Sequence, residues 1–148
     1  MTMIARLRFR DFTIEDHAAL LDLWRTAELS HRPRGRDSLE AMAAEVQRPY
    51  SHLLLAELEG QMVGSVLASH DGRRGWINRL AVHPEWRGQG LASELIDRAE
   101  AWLMEQGLKI LVCLIEEENT PSRRLFQKKD YVEHRDIVYY SKRLQPDV

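Results

Sequence analysis

The sequence predicts an α/β protein with a mixed sheet flanked by about four helices, and three stretches carry that prediction. Residues 76–82 are rich in β-branched and apolar side chains and read as a strand; His83-Pro84 ends it, and a glycine-containing turn leads into apolar positions at helical spacing from Leu91 to a stop at Gly107. Residues 52–58 and 61–69 read as two strands joined by Glu59-Gly60, a hairpin signal. Residues 109–115 form an apolar run with the character of a buried strand. Helices interleaved with a hairpin and with an isolated apolar strand describe a mixed sheet rather than a bundle or a sandwich.

The remaining elements follow in order. Ile4 to Phe9 alternates apolar residues with Arg6 and Arg8, as a half-solvated strand does. Thr13 and Asp16 form a capping-box pattern ahead of a helix to about Ala27, whose apolar face carries Leu20, Leu21, Leu23 and Trp24. Residues 28–36 are a polar, basic loop, and Ser38 caps a second helix to about Gln47, before Pro49. Residues 70–75 are a turn. After the acidic loop Glu116-Glu117-Glu118-Asn119, Thr120-Pro121 offers an N-cap with proline at the first helical position, and a short helix runs to near Lys129. Tyr131 to Leu144 reads as one or two closing strands.

At 148 residues the chain is expected to be a single domain, 1–148, with a core of useful size. A formal net charge of −2 gives no basic field of the kind nucleic acid attracts. One cysteine excludes an internal disulfide framework and fits a reducing compartment. No segment reads as a signal peptide or a membrane span, so a cytoplasmic location is expected, with no nucleic-acid or membrane partner. The histidines lack paired ligand spacing, and no metal is predicted.

The chemistry centres on Arg87-Gly88-Gln89-Gly90-Leu91-Ala92. The first turn of a helix carries unpaired N–H groups and a partial positive charge, and glycines admit an anion close to the backbone. A strand, a glycine turn and a helix start therefore suit a pyrophosphate, although a plain strand-to-helix connection uses the same parts. No Gly-Lys-Ser/Thr follows, which excludes the nucleotide-hydrolase loop, and the dinucleotide fingerprint is absent.

The pattern resembles the acetyl-CoA loop of the GNAT N-acetyltransferases. That family's motif is Arg/Gln-x-x-Gly-x-Gly/Ala, and Arg87, Gly90 and Ala92 fill its fixed positions. The lead-in from Leu80 to Trp86 and the order of elements along the whole chain resemble the family as well. The turn at residues 70–75, the loop around Arg32-Pro33 and the ending Lys142-Arg143-Leu144 are similar to the small bacterial YpeA-like acetyltransferases.

The resemblance implies the GNAT acyl-CoA N-acyltransferase fold. It also implies direct attack of an amine on acetyl-CoA in a ternary complex, without a metal. The cradle for the cofactor would be Arg87, Gly88, Gln89, Gly90, Leu91, Ala92 and Ser93 for the pyrophosphate, and the backbone of Leu80, Ala81 and Val82 for the pantetheine arm. A strand N–H near Leu80 to Val82 would meet the developing oxyanion. Asn119 would contact the pantetheine or cap the short helix. Phe126 stands where many members have a tyrosine that protonates the CoA thiolate, so it would only pack there.

A thiol with a pKa near 8.5 leaves tolerably without help, and general acid catalysis is worth typically ~10²–10⁴-fold. That leaves room for a slow enzyme or a substitute donor; Tyr131, Tyr139 and Tyr140 qualify by type only, beside the plainer reading of each as a core or surface tyrosine. For the base, Glu117 is the candidate within the acidic run Glu116 to Glu118, beside the plainer reading of a solvated loop. Cys113 reads as a small buried hydrophobe rather than a nucleophile. The cations of residues 31–36 suggest an acceptor carrying a carboxylate or phosphate, or simply a solvated loop. The partners are thus acetyl-CoA and an amine acceptor, the protein being a monomer or homodimer. The alternative is a CoA-binding regulatory or interaction module with little transfer, and beyond it a plain α/β interaction domain.

Overall fold

The computed structural model describes residues 2–148. The chain runs α1 (Met3–Arg6), β1 (Leu7–Asp11), α2 (His17–Thr26), α3 (Leu39–Val46), β2 (Ser51–Leu58), β3 (Gln61–His70), β4 (Arg74–Val82), α4 (Leu91–Glu105), β5 (Ile110–Val112) and α5 (Thr120–Lys128). Short 3-10 turns stand at Ile14–Asp16 and Pro84–Trp86. The strands form one sheet in the order β1-β2-β3-β4-β5, antiparallel except for the parallel pair β4–β5.

Period-two alternation sorts the side chains into two cores. On β2, Leu54, Ala56 and Leu58 enter the core covered by α4 and α5, with Leu91, Leu95, Ile96, Leu103 and Phe126. Leu53 and Leu55 point to the other face and pack with Leu20, Leu23 and Trp24 of α2 and Met42 of α3. On β4, Gly75 lets α4 come close: a Cβ there would lie 2.9 Å from Leu103 Cδ1 and 3.0 Å from Leu111 Cδ2.

One irregularity positions everything that follows. Ser65 pairs with Ala81 but Leu67 pairs with Asn78, so Arg79 and Leu80 together face Val66. This is a β-bulge, and Arg79 takes φ +53°, a left-handed conformation that side chains seldom adopt. The extra residue flips the pleat. Ile77 and Val82, at positions of opposite parity, therefore enter the same core, and Ala81 enters the other.

The sequence expectations need four corrections. The strand expected at Ile4 to Phe9 begins only at Leu7, because its partner β2 ends at Leu58 and leaves earlier residues nothing to pair with. Residues 3–6 instead make one helical turn, with Thr2 Oγ1 accepting from the Ala5 N–H at 3.4 Å. The strand expected over residues 109–115 shortens to Ile110–Val112, and Ile110 and Leu114 are exposed rather than buried. The cap of α5 is Asn119, not Thr120: its Oδ1 accepts from the Ser122 N–H at 3.3 Å. Finally, residues 131–144 form no strand. The charged stretch Glu133 to Asp136 interrupts their apolar pattern, Glu133 is held by Arg123 and Arg135 at 2.7 Å each, and the short β5 offers little edge to extend.

Candidate active site

Strands β4 and β5 pair only from Arg74–Ile110 to Trp76–Val112, and beyond Trp76 they part. A cavity of about 590 Å³ occupies the opening. Asn78, Arg79 and Leu80 form one wall, and Cys113 to Glu116 form the other. Asn119 and Phe126 bring in α5, while Trp24, Met42 and Glu45 bring in α2 and α3. The antiparallel ladder fixes the backbone here. The His83 N–H is donated to Val63 of β3 at 2.8 Å, so by alternation the Val82 N–H points away from β3, toward the parting of the strands.

A buried hydrogen-bond chain holds the bulge. The Trp24 indole N–H is donated to Ser65 Oγ at 3.0 Å, and Ser65 donates in turn to the Arg79 carbonyl at 2.8 Å. The Arg79 guanidinium lies 4.9 Å from the centre of the Trp24 ring, gives two 2.8 Å hydrogen bonds to Asp37 and a third to the Ser30 carbonyl at 2.7 Å. Burial pulls its pKa below the usual arginine range, against the Asp37 charge; an arginine keeps its proton even so. The bulge is thus clamped by side chains from α2, β3 and the loop before α3.

The start of α4 is the second feature. Gly90 is its N-cap, at φ +88°, and offers no side chain to the helix. Among the described residues, no protein acceptor meets the N–H groups of Gly90, Leu91, Ala92 and Ser93. A Cβ built on Gly88 (φ +75°) or Gly90 would meet nothing within 4 Å, so the outer face of the turn is open. Uncontested donors at the positive end of a fifteen-residue helix fit a pyrophosphate. The Arg87 side chain braces this turn from behind: Nε donates to the Val82 carbonyl at 3.2 Å and a terminal nitrogen to Ala27 at 3.0 Å. Trp86 packs on the larger core, and its buried indole N–H has no partner.

The other expected residues divide. Leu80, Asn119 and Phe126 line the cavity; Ala81 and Val82 are buried behind its wall. Phe126 is 4% exposed and meets the Tyr131 ring edge-to-face at 4.9 Å. Tyr131 is not a cavity wall. Its hydroxyl donates to Glu100 on α4 at 2.7 Å, and burial together with that carboxylate pushes its pKa well above the usual tyrosine range. Of the acidic loop it is Glu116, not Glu117, that lines the cavity; the Glu117 carbonyl accepts from Arg123 at 2.8 Å. Cys113 lines it too, with its thiol pushed up to about 11 by burial, so it carries almost no thiolate at neutrality. Of the cations at residues 31–36, Arg36 alone reaches the cavity.

Sequence reasoning missed Arg79, Ser65, Asp37 and Glu45. The one local signal was Ser65, a polar residue amid the apolar run of β3. Among the described residues, no group of three or more His, Cys, Asp or Glu is gathered to hold a metal, and no helix is long and apolar enough to cross a membrane.

An α/β sheet that splays over a cavity, next to an uncapped helix start, suits an acyl-CoA-dependent acyltransferase; the acetyltransferase (GNAT) family model matches residues 16–131, and the chain belongs to that family. A relative in Photorhabdus laumondii subsp. laumondii, named acetyltransferase plu1384, is 32% identical over 146 residues, covering 95% of this chain and 98% of that protein. Among solved structures, an acetyltransferase from Clostridium acetobutylicum, described with acetyl-CoA, superposes with a TM-score of 0.74 at 14% identity, over 91% of this chain and 96% of the other. An aminoglycoside acetyltransferase from an uncultured soil metagenomic sample, described with sisomicin, gives 0.78 at 16% identity over 97% and 99%. These two likenesses bear on the fold, and the mixed sheet with its flanking helices is the GNAT fold.

Proposed function

We propose that the protein transfers the acetyl group of acetyl-CoA to a primary amine, on a small molecule or on a peptide or protein, by direct attack in a ternary complex. The observation that carries the reading is the uncapped start of α4 beside the parted strands β4 and β5. Gly88 to Ser93 would hold the pyrophosphate, and the Leu80 to Val82 backbone would hold the pantetheine arm. That would set the thioester in the cavity, where a backbone N–H of β4 can donate a hydrogen bond to the oxygen on which negative charge develops. Acetyl-CoA supplies the activated acyl group: a C–N bond forms, the C–S bond breaks, and the proton lost from nitrogen passes to the thiolate or to water. Acetyl-CoA in the Clostridium structure and sisomicin in the metagenomic one support the two substrate classes. The chain would act as one domain in the cytoplasm, as a monomer or homodimer.

A second reading, a CoA-binding module with little transfer, is favoured by one observation. Phe126 has no proton to give, and the hydroxyl of Tyr131, whose ring it meets, is committed to Glu100.

Acetyl-CoA titration by calorimetry tests both. Wild-type protein is expected to bind, and Gly90→Glu, which sets a carboxylate among the free N–H groups, to weaken binding at least about 100-fold, or ~2.7 kcal/mol. Ala92→Glu introduces the same charge at a helical backbone position and separates charge from strain. Failure of folded wild-type protein to bind would end both readings; binding without CoA release across an amine panel would select the module.

A further inference from the structure

The cavity has a charge that the acetyl transfer does not account for. Four carboxylates line it, from Glu28, Asp37, Glu45 and Glu116, against two guanidiniums, from Arg36 and Arg79. Both cations are already answered by one residue: Asp37 binds Arg79 through both oxygens and lies 3.6 Å from Arg36 Nε. Asp37 also accepts from the Arg32 N–H at 2.7 Å and is buried, so its charge is spent within the protein. Glu28 and Glu116 are exposed at the margin. Glu45 is different.

Glu45 sits one turn after Met42 on α3, and both line the cavity, so the two share the face that α3 turns toward it. Glu45 is half-buried, and its backbone carbonyl accepts from the Arg48 N–H at 3.1 Å, yet among the described residues its carboxylate has neither a hydrogen bond nor an ion pair. Burial raises its pKa above the usual carboxylate range, with the Arg48 and Arg79 charges opposing and Asp37 reinforcing. A carboxyl kept in this condition costs folding free energy until a cation meets it.

Resting on the acetyltransferase reading above, we propose that Glu45 is the acceptor-binding carboxylate, and that the acceptors carry a second positive charge beside the amine that is acetylated. The reacting amine must be neutral to attack, so it cannot itself satisfy a carboxylate throughout the reaction. A second ammonium can, and it fixes the pose of the first. This reverses the expectation, drawn from the basic residues 31–36, that the acceptor carries a carboxylate or phosphate. The one arginine of that stretch in the cavity is already partnered.

The test compares 1,4-diaminobutane with butylamine as acceptors for the full-length protein, its Glu45→Gln variant and Glu40→Gln as an outside-face control. Wild-type kcat/KM is expected to favour the diamine by about 10-fold or more. Glu45→Gln should bring that ratio to within about twofold by raising the diamine KM, leaving kcat and the acetyl-CoA KM within about threefold. Equal losses on both amines, a loss confined to kcat, or an unchanged preference would overturn the proposal. Folding is controlled by thermal melting, where Glu45→Gln should be no less stable than wild type, since it removes a half-buried, unpaired charge.

If acetyl-CoA binds but no amine is turned over, the transfer reading fails while Glu45 remains open to measurement. Calorimetric titration of 1,4-diaminobutane into the acetyl-CoA complex then decides: binding lost in Glu45→Gln upholds the subsite, and binding absent or unaltered refutes it.

Discussion

Replacing Ser65 by alanine should reveal how much of the molecule hangs on one hydroxyl. Ser65 is fully buried and Trp24 is 1% exposed, so neither end of the chain from Trp24 through Ser65 to the Arg79 carbonyl can turn to water. Ser65→Ala leaves an indole N–H and a bulge carbonyl unpaired. At roughly 1–3 kcal/mol for each buried group stranded, the cost is about 2–4 kcal/mol after partial relaxation. That lowers the folded-to-unfolded ratio by roughly 30- to 1,000-fold, at about 1.4 kcal/mol per decade. In urea, with a slope near 2 kcal/mol/M, the midpoint should fall by about 1–2 M.

Trp24→Phe removes the donor instead. The double variant should therefore cost about 1 kcal/mol or more less than the sum of the singles, since the indole is no longer stranded. Because Ser65 also anchors the bulge residue Arg79 in the cavity wall, Ser65→Ala should weaken acetyl-CoA binding while leaving the slope of unfolding unchanged. A midpoint within about 0.3 M of wild type, or strict additivity in the double variant, would refute the idea that this hydroxyl clamps the bulge.

Two further outcomes follow from the titrating groups. Arg10 gives Asp16 hydrogen bonds of 2.6 and 2.7 Å and Glu57 one of 2.6 Å, and the Arg10 bonds hold the Asp16 carboxyl below the usual range. A depressed folded pKa means stability that is present above the unfolded value, near 3.9, and lost as pH falls through the folded one. Unfolding free energy should therefore decline below about pH 4, and less steeply in Arg10→Met; parallel curves would remove Arg10 as the cause. The Cys113 thiol, pushed up to about 11, should react with iodoacetamide at pH 8 roughly 100-fold more slowly in the native protein than in urea. Equal rates would place it in the open.

The proposed cofactor cradle was legible in the sequence because it is local. Strand, glycines and helix adjoin one another, and both the open turn at Gly90 and the helix it starts can be read from a few consecutive residues. The proposed acceptor half is not local. Arg79 becomes a bulge only because β3 offers Val66 alone against two residues, and nothing around Arg79 announces that partner. Glu45 looks like any helix-surface glutamate until Met42, three residues earlier, is seen to face a cavity walled from three directions. The misreading of residues 131–144 has the same origin. Tyr139, Tyr140 and Val138 have the composition of a strand, but a strand needs an edge to join, and β5 is three residues long.

A helix that begins at glycine where a serine or aspartate would ordinarily sit is a helix that leaves its first turn to be completed by something else. Seen thermodynamically, the substrate is a missing piece of the fold. Whatever binds only the native state adds RT ln(1 + [L]/Kd) to its stability, about 2.7 kcal/mol at a hundred times Kd. A cell rich in acetyl-CoA would thus hold this chain in a deeper free-energy well than a starved one does. Its resistance to proteolysis, and with it its abundance, should follow the supply of the donor it consumes.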